Sequence, residues 1–116
     1  MGEIFAAPYD VYLNEGGENV VQPDLLFVKA DRSDIIQKKG VVGSPDFVIE
    51  ILSTNDKLDR QTKLELYQRN RILEYFIIDP ETKQVWHYLL VDGVYELKTS
   101  QAGEVDIQQL SLKVKF

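Results

Sequence analysis

The sequence predicts an α/β fold in which a mixed β-sheet carries one crossover helix and ends in C-terminal hairpins. Three observations predict it. Runs of β-branched and aromatic residues recur at strand length, as in Phe47–Leu52. One helical pattern, Lys57–Arg69, lies between two such runs. The pair Asp92-Gly93 is typical of a tight hairpin turn.

The first part of the chain contains two predicted strands. Ile4–Leu13 is the first, interrupted or placed at a sheet edge by Pro8, and a turn cluster at residues 14–19 follows it. Val20–Val28 is the second strand. Asp31–Gly40 is polar and holds at most a short helical turn.

The middle of the chain reads as strand, helix, strand. Phe47–Leu52 is apolar on both faces, which predicts a central strand. Residues 53–56 offer several N-cap side chains before the helix Lys57–Arg69. Ile72–Ile78 is the next strand, and a crossover between two such strands is right-handed by the general rule.

The end of the chain reads as hairpins. Gln84–Leu90 and Val94–Thr99 flank the Asp-Gly turn, and the tail ends in a strand at Leu112–Phe116. One helix cannot cover both faces of such a sheet. We therefore expect a missing covering element, either an N-terminal segment or a partner subunit.

The first of these hairpins is rich in aromatic side chains. Trp86, Tyr88 and Tyr95 suggest an exposed apolar face, which usually marks an interface. A homodimer with isologous contacts is therefore predicted. His87, the only histidine, is taken as a structural residue of the same hairpin.

The composition fits one domain spanning residues 1–116, because 116 residues can bury one core but not two. With no cysteine, disulfides and thiolate metal sites are excluded, and a single histidine makes zinc chemistry improbable. No apolar run approaches the roughly 18 residues of a membrane span, and there is no signal-peptide pattern. A cytoplasmic protein without membrane contact is the expectation.

The formal net charge of −6 argues mildly against nucleic-acid binding, which usually needs a basic face. Carboxylates gathered at a metal site would explain part of that charge, since a bound cation offsets it. Local basic residues do occur, at Lys38, Lys39, Lys57, Arg60, Lys63, Arg69 and Arg71.

Asp24 and Glu50 stand inside apolar strands, where an unpaired charge is very costly. Asp46 and Glu50 share a strand face, but four residues separate them by about 13 Å, too far for one ion. Asp24 lies on another strand, and neighbouring strands are only about 4.8 Å apart. Asp24 and Glu50 can therefore converge on one hard cation, with the Ile51 carbonyl as a third oxygen ligand. Mg²⁺ or Mn²⁺ suits such a site, and mutual repulsion should raise the pKa of at least one carboxylate when it is empty.

The helix supplies a base beside these acids. On a helical wheel Asp59, Lys63 and Tyr67 fall within the apolar half, whereas Arg60 falls on the solvent side. Lys63 could orient a water or stabilise negative charge developing on a phosphate.

Structural interpretations of the same residues stay open at this point. Asp24 follows Pro23 and could be a turn acid at a strand edge. Asp59 and Lys63 could be an ordinary helix ion pair. Asp46 follows Pro45 and could be a strand-entry acid that bonds local amides.

Four blocks follow one another in an order that resembles a known family: Gln22–Leu26, Pro45–Ser53, Asp59–Tyr67 and Glu74–Pro80. The family that the chain resembles is Uma2 (domain of unknown function 820), of the PD-(D/E)XK restriction-endonuclease-like superfamily. They span nearly the whole chain. The resemblance implies a restriction-endonuclease-like fold. Because family members carry an N-terminal helix with an acidic residue before the first strands, and the sequence has no such helix pattern, a domain truncated at its N-terminus is the expectation.

The resemblance also assigns roles residue by residue. Asp24 and Glu50 match the two acids of the superfamily motif. Leu52 occupies the position of the motif lysine, and Lys63 on the helix matches the lysine that substitutes for it in this family. Asp59 and Tyr67 match further motif positions.

Two functions from different classes follow from the resemblance and the acids together. The first is a Mg²⁺-dependent endonuclease that hydrolyses nucleic-acid phosphodiester bonds, with DNA as the implied substrate. The second is a catalytically silent member of the same fold that acts as a binding or assembly module. A sugar- or ligand-binding β-domain ranks lower, since it leaves Asp24, Glu50 and Lys63 without a role.

Overall fold

The computed structural model describes residues 1–13, 19–52 and 57–116, and of residues 57–59 it describes the main chain only. The elements in chain order are β1 Gly2–Ala6, β2 Val11–Leu13, β3 Asn19–Val21, β4 Leu25–Lys29, a 3-10 helix Ala30–Ile35, β5 Ile36–Gln37, β6 Gly40–Val42, β7 Phe47–Ile51, α1 Lys57–Arg69, β8 Glu74–Ile78, β9 Val85–Val91, β10 Val94–Lys98, β11 Glu104–Ile107, a second 3-10 helix Gln108–Leu110, and β12 Leu112–Lys115.

A six-stranded sheet with the order β1-β4-β7-β8-β9-β10 forms the centre of the fold. Only β7 and β8 within it run parallel, because the crossover helix α1 joins them. The other neighbours pair antiparallel, so the sheet is mixed. The predicted central position of β7 and the predicted bounds of α1 are both confirmed.

The two predicted N-terminal strands are each divided between two sheets. β1 and β4 belong to the main sheet, whereas β2 and β3 join a small four-stranded sheet with the order β3-β2-β6-β5. Pro8 and Pro23 lie at the two divisions. Proline has no N–H to donate to a β-ladder, so each long apolar run is divided into two strands at its proline.

One face of the main sheet packs against α1. The core on this side, which we call the helix side, contains Val11, Leu13, Leu26, Val28, Val41, Val48, Tyr67, Ile72, Tyr75 and Ile77. Tyr67 and Tyr75 are both fully buried and meet edge to face at 4.8 Å between ring centroids. Aromatic pairs in this geometry stabilise beyond the area they bury.

The opposite face, which we call the back side, is covered by the end of the same chain. Phe27, Phe47 and Phe76 on the sheet pack with Val105 and Ile107 of β11, which forms a two-stranded hairpin with β12. The expectation that only an N-terminal segment or a partner subunit could cover a second face is therefore wrong. The sequence pattern of the tail was too weak to show this role.

The aromatic hairpin is also placed differently from the prediction. Trp86, Tyr88 and Tyr95 are half-buried and pack against the helix-side core. The Tyr95 hydroxyl donates to the Ile72 carbonyl at 2.7 Å. These rings therefore do not form an exposed face, and the homodimer loses that support and stays a prediction. Across the described ranges, no helix is both long and apolar enough to cross a membrane.

Candidate metal and phosphodiester site

Of the two acids of the sequence analysis, Glu50 lies on β7 and Asp24 lies directly before the neighbouring strand β4, at the helix side of the main sheet. Leu25 pairs with Ile49, so Asp24 lies beside Glu50 one residue further along. Oδ2 of Asp24 accepts a hydrogen bond from the Ile51 amide at 2.7 Å. The structure therefore brings Asp24 to the end of β7 at which Glu50 stands.

Asp24 is held from both sides. Its carbonyl accepts a hydrogen bond from the Ala7 amide at 3.0 Å, just beyond the pairing of β1 with β4. Its side chain reaches the other way, to Ile51. Asp24 itself is half-buried and follows the buried Pro23, so its carboxylate has a fixed direction and partial access to solvent.

Glu50 receives two donors from α1. The Tyr67 hydroxyl donates to Oε2 at 2.8 Å, and Lys63 Nζ lies 3.3 Å from the same oxygen. Lys63 and Tyr67 are four residues apart and so share one face of the helix. The Glu50 side chain is 11% exposed and that of Lys63 34%, so the pair sits where the core meets solvent.

Burial raises the pKa of Glu50 above its ordinary value of 4.5. The Tyr67 hydroxyl and the Lys63 ammonium oppose that rise, and the charge of Asp24 adds a small further increase. A raised pKa was predicted, but repulsion by Asp24 is the smallest cause and burial the largest. Burial also raises the pKa of Tyr67, which therefore keeps its proton and remains a donor to Glu50.

The site has acceptor oxygens to spare. Both donors to Glu50 meet Oε2, and within the described part of the chain no donor reaches Oε1 or Asp24 Oδ1. No cluster of three or more His, Asp or Glu side chains that could hold an ion occurs among the described residues. A cation here would have two carboxylates and main-chain oxygen, which fits Mg²⁺ because it keeps several waters.

Asp46, another predicted member of the site, lies outside this cluster. Asp46 is 2% exposed, accepts the Lys29 amide at 2.7 Å and pairs with Arg32 at 3.0 Å. It bonds the residue before the first 3-10 helix and Arg32 within that helix, which are distant in sequence, and not the local amides that the strand-entry interpretation expected. The side chain of Asp59 lies outside the described residues.

A second buried carboxylate was missed. Glu74 on β8 is fully buried on the back side. Its Oε2 lies 2.6 Å from His87 Nε2 and accepts the Gln108 amide at 3.0 Å, and its Oε1 accepts the Gln109 amide at 2.7 Å. The signal was present in the sequence, since Glu74 is a carboxylate within an apolar strand, as Glu50 is.

Arg60 was also misplaced by the helical wheel. Its guanidinium lies over the Trp86 ring, 4.6 Å from the centroid, rather than in solvent. Trp86 pairs with Ile77, and Ile77 pairs with Glu50. Trp86 therefore lies in the same cross-strand row as Glu50, two strands away.

The structure defines a mixed α/β class of protein, in which two carboxylates and a lysine come together on the helix side of the main sheet. The model of the Uma2 family, described as "Putative restriction endonuclease", matches residues 1–116, and the chain belongs to that family.

The fold is shared with a solved structure. It is described as "a putative nuclease belonging to DUF820 from Anabaena variabilis ATCC 29413", and it superposes with a TM-score of 0.71 at 16% identity. The match covers 98% of this chain and 65% of that one, so the chain spans about two thirds of that structure's length. No curated protein sequence matches the chain.

Proposed function

We propose that the chain is a Mg²⁺-dependent endonuclease that hydrolyses phosphodiester bonds of nucleic acid, DNA in the first place. One observation carries the proposal. The Asp24 and Glu50 carboxylates lie side by side with one oxygen each that no donor of the described residues reaches, and Lys63 Nζ lies 3.3 Å from Glu50. Membership of a family described as "Putative restriction endonuclease" supports it, and so does a fold shared with the structure described as a putative nuclease.

Asp24, Glu50 and the Ile51 carbonyl would hold the ion. The N–H and C=O of one strand residue point towards the same neighbouring strand. Because the Ile51 amide points at Asp24, its carbonyl points to that side as well. Mn²⁺ is the natural substitute, and the chemistry such an ion supplies is polarisation of the phosphoryl oxygen.

Lys63 and Tyr67 act on the carboxylate and the substrate. Lys63 holds a proton beside Glu50 and is a third exposed, so its ammonium can reach a phosphate that approaches the carboxylates. There it would stabilise the negative charge that develops during hydrolysis. Tyr67 keeps Oε2 of Glu50 in place, which leaves Oε1 for the ion.

The test is a cleavage assay on plasmid and single-stranded DNA with Mg²⁺ or Mn²⁺. Lys63→Ala should lower kcat by about 10²- to 10³-fold while metal affinity and KM change little, because a charge that acts in the transition state affects rate more than ground-state binding. Lys98→Ala, an exposed lysine paired only with Glu96 among the described contacts, is the matched control. Full activity of folded Lys63→Ala contradicts the proposed role.

The alternative is a catalytically silent binding module of the same fold. Leu52 in place of the motif lysine and the net charge of −6 favour it. The two proposals separate in the same assay, because a silent module shows no metal-dependent cleavage by the parent chain. The homodimer remains part of the proposal, and a sedimentation experiment that finds only monomer at micromolar concentration contradicts it.

A further inference from the structure

A groove lies beside the carboxylates on the helix side. It has a volume of about 270 Å³ and is lined by Arg60, Gln61 and Leu64 of α1 and by Ile77 and Tyr88 of the sheet. Arg60 is also the residue that stacks over Trp86. The groove therefore opens next to an indole ring and a guanidinium, both half-buried.

The row of paired strands fixes where this groove lies relative to the carboxylates. Glu50, Ile77 and Trp86 are neighbours on β7, β8 and β9. At the usual strand spacing, Trp86 is roughly 10 Å from Glu50 along this row. A strand of nucleic acid with its phosphate at the carboxylates would bring an adjoining base to this distance.

Indole and guanidinium planes are the side chains on which unpaired nucleobases stack. In the structure the guanidinium lies over the indole ring, and such a cation–π contact at a half-exposed site is weaker than a base–aromatic stack. A base can therefore take the place of the guanidinium over the indole. Arg60 would then be released towards the adjoining phosphate, with Lys63 three residues along the helix.

We infer that Trp86 and Arg60 form a stacking site for one unpaired nucleobase next to the carboxylates. The inference rests on the proposed function for the class of ligand, since the carboxylates identify it as nucleic acid. Such a stacking site requires a substrate that is single-stranded, or locally unpaired, at the position beside the bond that is cut. Duplex DNA does not present a free base face there.

The chain carries its own probe, because Trp86 is its only tryptophan. Tryptophan fluorescence is titrated in EDTA with a 12-nucleotide single strand, as DNA and as RNA. Saturable quenching by either is expected. An abasic strand of the same length and the corresponding duplex should bind at least about 5-fold more weakly. This is the smallest loss of affinity expected when one base–aromatic stack is removed.

Three results of this titration overturn the inference. Equal binding of the abasic strand shows that phosphates alone are recognised. Absence of quenching by both single strands shows that no base reaches the indole. Saturation by a mononucleotide at the same concentration as the oligomer shows a nucleotide pocket instead of a strand site.

Substitutions test the Trp86 indole and the Arg60 guanidinium separately. Binding is followed by the fluorescence anisotropy of a labelled single strand of nucleic acid. Trp86→Leu should weaken binding roughly 5- to 150-fold, and Trp86→Phe, which keeps an aromatic ring in the sheet, by less. Arg60→Lys should weaken binding while the salt dependence stays unchanged, because the charge remains and the plane is lost. Arg69→Lys, exposed at the far end of α1, is the matched control. Unchanged affinity in folded Trp86→Phe and Arg60→Lys contradicts the inference.

Failure of this inference and failure of the proposed nuclease are distinguishable. The titration needs neither metal nor turnover, so a chain that stacks bases but never cleaves supports the stacking site and contradicts the nuclease. A chain that cleaves duplex and single strands equally, with no change in Trp86→Phe, supports the nuclease and contradicts the stacking site.

Discussion

Glu50 and Glu74 stand on neighbouring strands of one sheet, yet their carboxylates meet opposite conditions. Glu74 is fully buried on the back side, and both its oxygens have partners: His87 and the amides of Gln108 and Gln109. Glu50 is also buried, but its two donors, Tyr67 and Lys63, meet a single oxygen.

The difference separates a structural carboxylate from a functional one. Glu74 supplies the cap that the Gln108–Leu110 helix lacks at its own N-terminus, and so fixes the C-terminal hairpin to the sheet. Glu50 carries a raised pKa because burial is only partly compensated. Unused acceptor capacity at a solvent border is what a cation requires, and buried charge alone does not indicate it.

The sharpest test of this comparison is the same substitution at both positions. Glu74→Gln replaces one of the two acceptor oxygens by an NH₂, which then faces the Gln108 or the Gln109 amide donor, so it should lower the free energy of unfolding by about 3 kcal/mol. Glu50→Gln should leave the metal-free protein unchanged or stabilise it, because a neutral group escapes the desolvation cost. Urea unfolding at pH 7 measures both. Equal losses would remove the distinction between the two glutamates.

A second prediction concerns ion binding by Asp24, the carboxylate beside Glu50. Mg²⁺ or Mn²⁺ at 100 times its Kd should stabilise the parent chain by about 2.7 kcal/mol. Asp24→Asn should abolish this gain, because the amide cannot replace an anionic ligand, although it can still accept the Ile51 N–H. Calorimetric titration and thermal unfolding of both proteins check this. Equal binding by the variant excludes Asp24 as a ligand.

The pH dependence of stability follows from the raised pKa of Glu50. The folded protein holds this proton more tightly than the unfolded chain, for which 4.5 is the ordinary value. The contribution of Glu50 to the free energy of unfolding should therefore fall as the pH rises from about 4.5 through the folded pKa. Ion binding, which needs the ionised form, should strengthen over the same window.

A smaller effect is expected from Tyr67→Phe. The Tyr67 hydroxyl lowers the pKa of Glu50, so its loss should move the pH profile of ion binding upwards. Tyr95→Phe is the matched control, because that buried hydroxyl donates to the Ile72 carbonyl instead. Both variants should lose about 1–2 kcal/mol of stability, and only Tyr67→Phe should shift the profile. An unshifted profile would contradict the positioning role of Tyr67.

Periodicity and strand parity predicted the parts of the site that depend on local geometry. The bounds of α1 follow from its sequence pattern, and the shared face of Asp24 and Glu50 follows from alternation along paired strands. The wheel placed Lys63 and Tyr67 on the sheet-facing half of the helix, where both now meet Glu50.

The parts that failed depend on contacts between distant segments. The back-side hairpin packs on the sheet through Val105 and Ile107, which a weakly alternating tail does not reveal. Arg60 leaves the solvent side because a long side chain can bend back over Trp86. The capping of the Gln108–Leu110 helix by Glu74 joins residues 34 and 35 positions apart, and no local signal specifies such a partner.

The hydrogen bond from the Ile51 amide to Asp24 makes one main-chain proton a reporter of the site. A strand amide normally donates to a carbonyl, but here it donates to a carboxylate that is a proposed ligand. Any cation that draws electron density from Asp24 must change the chemical shift and the exchange rate of that proton. A single nuclear magnetic resonance signal, assigned to the Ile51 amide proton, would therefore follow the binding of a cation to the site, without substrate and without turnover.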